Sequence, residues 1–596
     1  MKKTISLILV LLLTASLFAG CGEDAAPETT VPESGPKLWF AYNTENLMQT
    51  ETYADKMAER DSTLRLYGVR GETESVQLMI TPDTYVDSFE LKANDLVNEN
   101  GDKLKKGNIE FYCQWYVYLD TTYNPDAYLG YYPDALVPYK AYKRARYNTI
   151  RAGENQGIWI EVKIPEDAAA GTYTGTVELE LDKKDYEIPV ELKVYDAQMP
   201  DEVHPKSCFL IWYDLIAKGE GRYTPELGTA YYDFLVERRI MPMDPIPAIW
   251  NNYDAYVDWV VENAAENPKM PCYCLPKKWA DSEIGSVVSE TALMDILTRL
   301  AKRNVELREA GNETIDLFKK AYVYIMDEPA GEALERTKLC DLIVSRCKFA
   351  VADEYLKDYP DLYNSLAGLS NIVTIGYNPD LVGSDTEGGV QTWCPLFDNW
   401  HTEEQRQTYY DRMNTTDRLM GEDAWWYGCV GPRPPYPTYH LDDDLFSPRI
   451  LSWMQYDYRC DGNLYWCVNT YTDDMWETPV ICFGDVSGEG NLLYPGAKFS
   501  IDGPISTLRL ESIREGMEDF EYFWMIEQAI LAYNAENGTD YDAQALMKPL
   551  YADLYSGMML TRYEPELFCS RRVRVLETLE LILADTLAGI EKLQAM

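Results

Sequence analysis

After Pro200 the sequence settles into one rhythm, and that rhythm limits the fold more than any other feature. Short apolar runs alternate with longer segments whose apolar residues recur at helical spacing. Eight runs read as strands: Cys208–Tyr213, Met241–Ile246, Pro271–Leu275, Tyr322–Met326, Ile372–Tyr377, Val390–Cys394, Ala424–Cys429 and Asn463–Val468. Between them lie helix-period segments such as Ala292–Ala310, Glu403–Met413 and Arg449–Arg459. Fully apolar short runs suit strands buried on both faces, and their alternation with helices suits a parallel sheet. Eight such units over residues 201–535 predict a (β/α)₈ barrel. The segment Leu508–Ala532 reads as its closing helix, and residues 536–596 read as a helical extension, with apolar residues at helical spacing in Val573–Leu593.

Residues 37–200 follow a different period. Alternation by twos runs through Ser75–Ile80, Gly157–Val162 and Thr174–Leu181, and turn residues such as Pro165-Glu166-Asp167 and Ala170-Gly171 separate the runs. Short alternating strands with frequent turns predict a β-sandwich. The expected class is therefore a multidomain β plus α/β chain: a sandwich, then a barrel, then helices. The sandwich is expected to brace the barrel, because no sugar-binding motif is readable in it.

The N-terminus carries two lysines, an apolar run from Ile5 to Leu13, and Leu17-Phe18-Ala19-Gly20 before Cys21. Residues 1–20 are expected to be a secretory signal, since the run is too short to span a bilayer. Small residues before a cysteine resemble the bacterial lipobox, which implies Cys21 as the lipidated first residue of a surface lipoprotein. Residues 21–36 are acidic and rich in proline, threonine and serine, so they are expected to form a disordered tether. The lipid is the one membrane contact expected.

The formal net charge of −44 excludes a nucleic-acid partner by repulsion. The 46 tyrosines and 15 tryptophans supply core, and also flat apolar faces on which sugars stack. Thirteen cysteines are scattered, and Cys272-Tyr273-Cys274 lacks the spacing of a zinc site. Most are expected to be free buried thiols. The three histidines, His204, His401 and His440, stand in no metal or nucleophile-base frame, so neither a metal nor a cofactor is expected.

The stretch Tyr322-Val323-Tyr324-Ile325-Met326-Asp327-Glu328-Pro329 runs a buried strand straight into two adjacent carboxylates. Like charges side by side are unfavourable unless a site uses them. The pair falls at the C-terminal end of the fourth strand, the catalytic face of barrel enzymes. Adjacent strand residues point to opposite faces, but Pro329 turns the chain so that both acids can reach one cleft. Neighbouring carboxylates disfavour double ionisation, and a carboxylic acid held protonated can protonate a leaving oxygen, as glycoside cleavage requires. Retaining glycosidases usually place their two carboxyls ~5 Å apart on different strands. Sequence neighbours fit substrate assistance better, in which the 2-acetamido oxygen of the sugar is the nucleophile. A helix cap ahead of Gly331–Leu334 is the alternative role for the pair.

YVYIMDEP, then WWYGCVGPRPPYP, DGNLYWCVNTY, GEGNLLYPG and LRLESIREGMEDFEY together resemble the catalytic domain of glycoside hydrolase family 123. The resemblance spans residues 205 to 530 and includes the sandwich-then-barrel order. It implies a retaining β-N-acetylgalactosaminidase acting on a glycan by substrate assistance. It also implies that Asp327 stabilises the cyclising acetamido group and that Glu328 is the acid and base.

Later strand ends supply candidate pocket walls: Trp393, Trp425 or Trp426, Tyr427, Tyr465 and Trp466. Because neighbours alternate, one of Trp425 and Trp426 should face the cleft. Asn469 could bond a hydroxyl, and Arg433, in a proline-stiffened loop, could meet an acidic or hydroxyl group. Asp442-Asp443-Asp444 is expected to cap a helix, and Ser487–Asn491 to form a mobile loop. Two other readings stay open. One is a glycosidase on another sugar with a protein nucleophile, for which Asp214 and Asp244 are the candidates. The other is a glycan-binding lipoprotein without chemistry.

Overall fold

The computed structural model describes residues 35–384, 387–416, 418, 421–481 and 486–596. The signal segment, Cys21 and nearly all of the tether lie outside the described residues. Pro36 to Met596 forms one compact unit.

Its first part is two sheets. Five antiparallel strands run in the order Lys37–Ala41, Thr73–Thr81, Gln156–Lys163, Ile109–Leu119, Gly130–Pro138. The second sheet runs Leu64–Arg70, Lys184–Gln198, Gly171–Leu181, Leu96–Asn98, Lys103–Leu104, with Phe89–Ala93 also paired to Gly171–Leu181. The period-two alternation decides which residues go inside. Val76, Leu78 and Ile80 of one sheet share a buried cluster with Val177, Leu179, Ile188 and Val190 of the other.

The second part is a seven-stranded parallel sheet. Its order is Lys206–Phe209, Gly462–Tyr465, Asp423–Gly428, Thr392–Trp393, Ser370–Val373, Ala321–Met326, Tyr273–Cys274. The first and last strands of the sequence are thus neighbours, so the sheet curls almost into a ring. Seven of the eight expected runs are strands. The eighth, Met241–Ile246, is not: it makes one parallel bridge, Phe209 to Pro242, with Phe209 N–H on Met241 O at 2.9 Å and Met243 N–H on Phe209 O at 3.0 Å. Pro242 and Pro245 remove the donors that a second ladder partner needs, and the ring stays open there.

Helices Glu290–Glu309, Ala333–Tyr355, Glu403–Met413 and Phe446–Asp457 lie between the strands, and Leu508–Asn537 follows the last of them. Pro565–Ala584 and Thr586–Gln594 form the helical end of the chain. No helix among the described residues is long and apolar enough to cross a membrane. Eleven described cysteines are free thiols, most of them buried.

Candidate active site

The strand Ala321–Met326 buries Val323 and Ile325 completely, while Tyr324 and Met326 on the other face are half-buried. It ends where Asp327 and Glu328 emerge into solvent, and Pro329 is buried again. Glu328 has φ +39°, in the left-handed region that favours glycine. Such backbone persists when neighbours over-determine it, and it concentrates at functional sites. The following helix begins at Ala333 and no side chain caps it, so the acid pair is not its cap.

Each acid is held by neutral hydroxyls. Tyr324 Oη–H donates to Asp327 Oδ1 at 2.6 Å, and Thr374 Oγ1–H donates to the same oxygen at 2.9 Å. Thr374 Oγ1 also accepts the Glu328 backbone N–H at 2.7 Å. Tyr427 Oη–H donates to Glu328 Oε1. Burial, then the Asp327 charge, pushes the Tyr324 phenol well above its usual value. Burial, then the hydrogen bond to Glu328, does the same for Tyr427. Both phenols therefore remain donors. Among the described residues, neither acid has a lysine or arginine within ion-pair distance.

Asp423–Gly428 explains why Tyr427 arrives there. Trp425 packs on Tyr322, with centroids 5.6 Å apart, inside the sheet, while Trp426 faces outward onto Trp400 at 5.9 Å. Tyr427 is next on the Trp425 side and reaches Glu328. Trp425 itself is buried under the cleft rather than in it. Trp393 is fully buried, its indole N–H on Glu422 at 2.7 Å, and it carries the exposed Tyr377 on its ring at 5.5 Å.

Trp466 is half-buried and meets Trp212, 38% exposed, edge to face at 5.4 Å. These two rings make an aromatic wall at the ends of the first and last strands. Asn469 is fully buried and clasps Trp212 instead of opening to the cleft: its Oδ1 accepts Trp212 N–H at 2.9 Å and its Nδ2 donates to Trp212 O at 3.1 Å. Tyr465 is also buried, accepting Gly490 N–H at 2.8 Å.

The Ser487–Asn491 segment, expected to be mobile, is buried and braced. Arg509 donates to Gly488 O at 2.7 Å and to Asn491 O at 2.6 Å, and is itself held by Asp134 of the first sheet. Gly490 has φ +69°, and a Cβ there would come within 2.4 Å of the Trp466 ring, so only glycine lets this segment lie against Trp466. Glu489 accepts the Trp466 indole N–H, and burial pushes its carboxyl up to about 7.

Arg433 stacks its guanidinium 3.4 Å from the ring centroid of Tyr123, which reaches across from the N-terminal sheets. None of the three aspartates expected as a helix cap caps it with its side chain, and two of them bond elsewhere. Asp442 accepts from Thr122 Oγ1, and Asp443 accepts both the N–H and Oγ1–H of Thr438 at 2.8 Å, while the helix Phe446–Asp457 has no side-chain cap.

Of the residues proposed from sequence, Asp327, Glu328 and Tyr427 meet directly, and Trp466 lines a wall. Trp393, Trp425, Tyr465 and Asn469 stand behind that surface. Tyr324, Thr374 and Trp212 were not singled out. The β-strand period could have found Tyr324, two places before Met326 on the same face. Lys277 was also missed; its ammonium lies 5.2 Å from the Tyr324 ring centroid. Asp244, one of the alternative nucleophiles, is pushed up to about 7 by burial, against the opposing charge of Lys277. Asp214 lies exposed in the helix Tyr213–Glu220. The described residues hold no cluster of three or more His, Cys, Asp or Glu able to bind a metal.

Two family models match parts of the chain. Residues 43–181 match the family model described as the glycoside hydrolase 123 N-terminal domain, and residues 313–526 match the glycoside hydrolase 123 catalytic domain. Among solved structures, a family 123 glycoside hydrolase from Clostridium perfringens, studied for glycolipid glycan hydrolysis, superposes with TM-score 0.64 at 16% identity. It covers 94% of this chain and 100% of its own. A β-glucuronidase from Parabacteroides merdae aligns at TM-score 0.25 and 7% identity over 82% of this chain and 52% of its own, a likeness too slight to argue from. A search of curated proteins found no match.

Proposed function

Because the chain belongs to glycoside hydrolase family 123, we propose that it removes a terminal β-linked 2-acetamido sugar, N-acetylgalactosamine being the leading choice, from a glycan or glycolipid by retaining, substrate-assisted hydrolysis. One observation carries this reading. The two adjacent acids stand exposed at one strand end, and each accepts from neutral hydroxyl donors.

In the first step the acetamido carbonyl oxygen attacks C1 and the glycosidic C–O bond breaks. The Glu328 proton passes to the departing oxygen. Asp327 accepts the acetamido N–H and stabilises the positive charge of the oxazolinium. In the second step water adds at C1, its proton returns to Glu328, and the ring reopens to the acetamide with configuration retained. Trp212 and Trp466 offer the apolar face for the sugar. On this reading residues 37–200 are the sandwich, 201–535 the barrel and 536–596 the extension. Cys21 is the lipid anchor holding the enzyme at the outer face of the cell membrane.

The test is nitrophenol release from aryl β-glycosides of N-acetylgalactosamine, N-acetylglucosamine, galactose and glucose by the chain beginning after residue 36. Turnover confined to the 2-acetamido sugars, and lost with Asp327→Asn, is the expected result. Turnover of plain galactoside or glucoside would overturn substrate assistance and return attention to a protein nucleophile.

A further inference from the structure

Thr374 follows the strand Ser370–Val373 and is buried, yet its hydroxyl touches both acid-bearing residues. It accepts the Glu328 N–H at 2.7 Å and donates to Asp327 Oδ1 at 2.9 Å. A hydroxyl has one proton to give. With an N–H pointing at its lone pairs, that proton is directed toward Asp327.

Tyr324 donates to the same Oδ1 at 2.6 Å, so this oxygen takes two donors, while Oδ2 receives none among the described residues. The final torsion of an aspartate is broad and roughly two-fold. Two donors on one oxygen remove that freedom and leave the other oxygen for an N–H from outside. The Glu328 end of the arrangement needs a clamp as well. A left-handed residue with a Cβ is disfavoured by roughly 1–2 kcal/mol, and Thr374 bonds the N–H of the residue that adopts φ +39°.

We propose that Thr374 is the positioning residue of this site: anchored on the Glu328 N–H, its hydroxyl fixes the Asp327 carboxylate so that Oδ2 meets the acetamido N–H of the substrate. The inference rests on the 2-acetamido reading above and deepens it. The Asp-Glu pair is then one unit, built on a threonine from the adjacent strand.

The experiment compares Thr374→Val, which keeps the shape and removes the hydroxyl, with Thr374→Ser, which keeps the hydroxyl. Two readouts are taken: kcat across aryl 2-acetamido-β-glycosides with leaving groups of different acidity, and binding of a thiazoline analogue of the cyclised acetamido group. Misplacement on the ångström scale can lower a rate by about a hundredfold. The valine variant should therefore lose roughly tenfold to a hundredfold in kcat, evenly across leaving groups, with a parallel weakening of thiazoline binding. The serine variant should recover to within about threefold. Thermal melting checks the fold, and Thr374→Ala replaces valine if the valine chain does not fold.

Parental activity in the valine variant, or a serine variant as poor as valine, overturns the proposal. So does a loss that grows only with poorer leaving groups while thiazoline binding is unchanged, because the hydroxyl would then act through Glu328 alone. An unsubstituted chain that neither turns over the panel nor binds the thiazoline fails the substrate reading itself.

Discussion

Two groups of carboxylates in this molecule are built on opposite plans. At the cleft, Asp327 and Glu328 are exposed and touch tyrosine and threonine hydroxyls. Elsewhere, the helix Leu508–Asn537 meets the first sheet along a buried seam of arginine–carboxyl pairs. There Arg449 bonds Asp519 and Glu515 at 2.7 Å, Arg572 bonds Glu72 and Glu74 at 2.6 Å and Asp519 at 2.7 Å, and Arg514 bonds Glu518 at 2.6 Å. A guanidinium favours the ionised form of a carboxylate, and Asp519 is held below its ordinary value, but burial outweighs the arginines at Glu74, Glu515 and Glu518 and pushes those carboxyls up. A hydroxyl orients a carboxylate without imposing a charge. The seam needs its pairs, because an arginine left without a carboxyl partner there would be a charge stranded away from water. In the proposed mechanism Glu328 must lose and regain a proton in each cycle, and neutral donors allow that.

Glu328→Gln breaks the cleft side of this contrast most sharply. A general acid contributes about 10²–10⁴-fold, so kcat on aryl glycosides with poor leaving groups should fall by that range while the melting temperature stays put. Arg572→Met does the reverse. It leaves Glu72, Glu74 and Asp519 short of a partner, and breaking a buried pair from one side costs about 3–5 kcal/mol. Urea unfolding should show that loss, with kcat of the folded fraction unchanged. If Arg572→Met proves neutral, the seam is no more than packing.

A third test uses pH. His440 is buried, with Nε2–H on Cys429 O at 2.8 Å, and burial lowers it to about 4 from the ordinary 6.5. The unfolded chain therefore binds this proton more readily than the folded one. The resulting stability is present above pH 6.5 and is lost as pH falls through 4. At 1.36 kcal/mol per unit the full effect is about 3 kcal/mol. His440→Gln should flatten that part of the stability curve; an unchanged curve would remove His440 as its source. The smallest effect is expected at the wall. Trp212→Ala removes the proposed stacking face, worth about 0.5–1.5 kcal/mol, which should appear as a KM rise of roughly two- to tenfold with kcat little changed.

The sequence exposed some of this and hid the rest for definite reasons. Ala321–Met326 was legible because a buried parallel strand is a continuous apolar run, and the acids ending it stand out against that run. Met241–Ile246 looked the same by composition, but two prolines deprive it of ladder donors. Helix Leu508–Asn537 was recognisable as a helix. The burial of Arg509, Glu511, Arg514, Glu515, Glu518 and Asp519 was not, since charged residues at helical spacing normally mark a solvated face. Their partners, Arg449 and Arg572, come from other helices, and Glu72 and Glu74 from the first sheet. Asn469 shows the same limit at the site: an asparagine after a strand can bond a ligand or the backbone, and here it holds Trp212.

What the sequence determined by itself is what depends on short separations. The periods of two and of 3.6, the strand running into Asp327-Glu328-Pro329, and the outward and inward turns of Trp426 and Tyr427 are all set by residues within a few places of one another. What the tertiary structure decided depends on groups far apart in the chain. Tyr427 meets Glu328 across 99 residues and Thr374 meets Asp327 across 47, while Arg572 reaches Glu72 across 500. Local spacing fixes which face a side chain occupies. Tyr324 comes with the acids' own strand, but the pairing of Ser370–Val373 beside it brings Thr374, and the curl of the sheet brings Tyr427 from Asp423–Gly428.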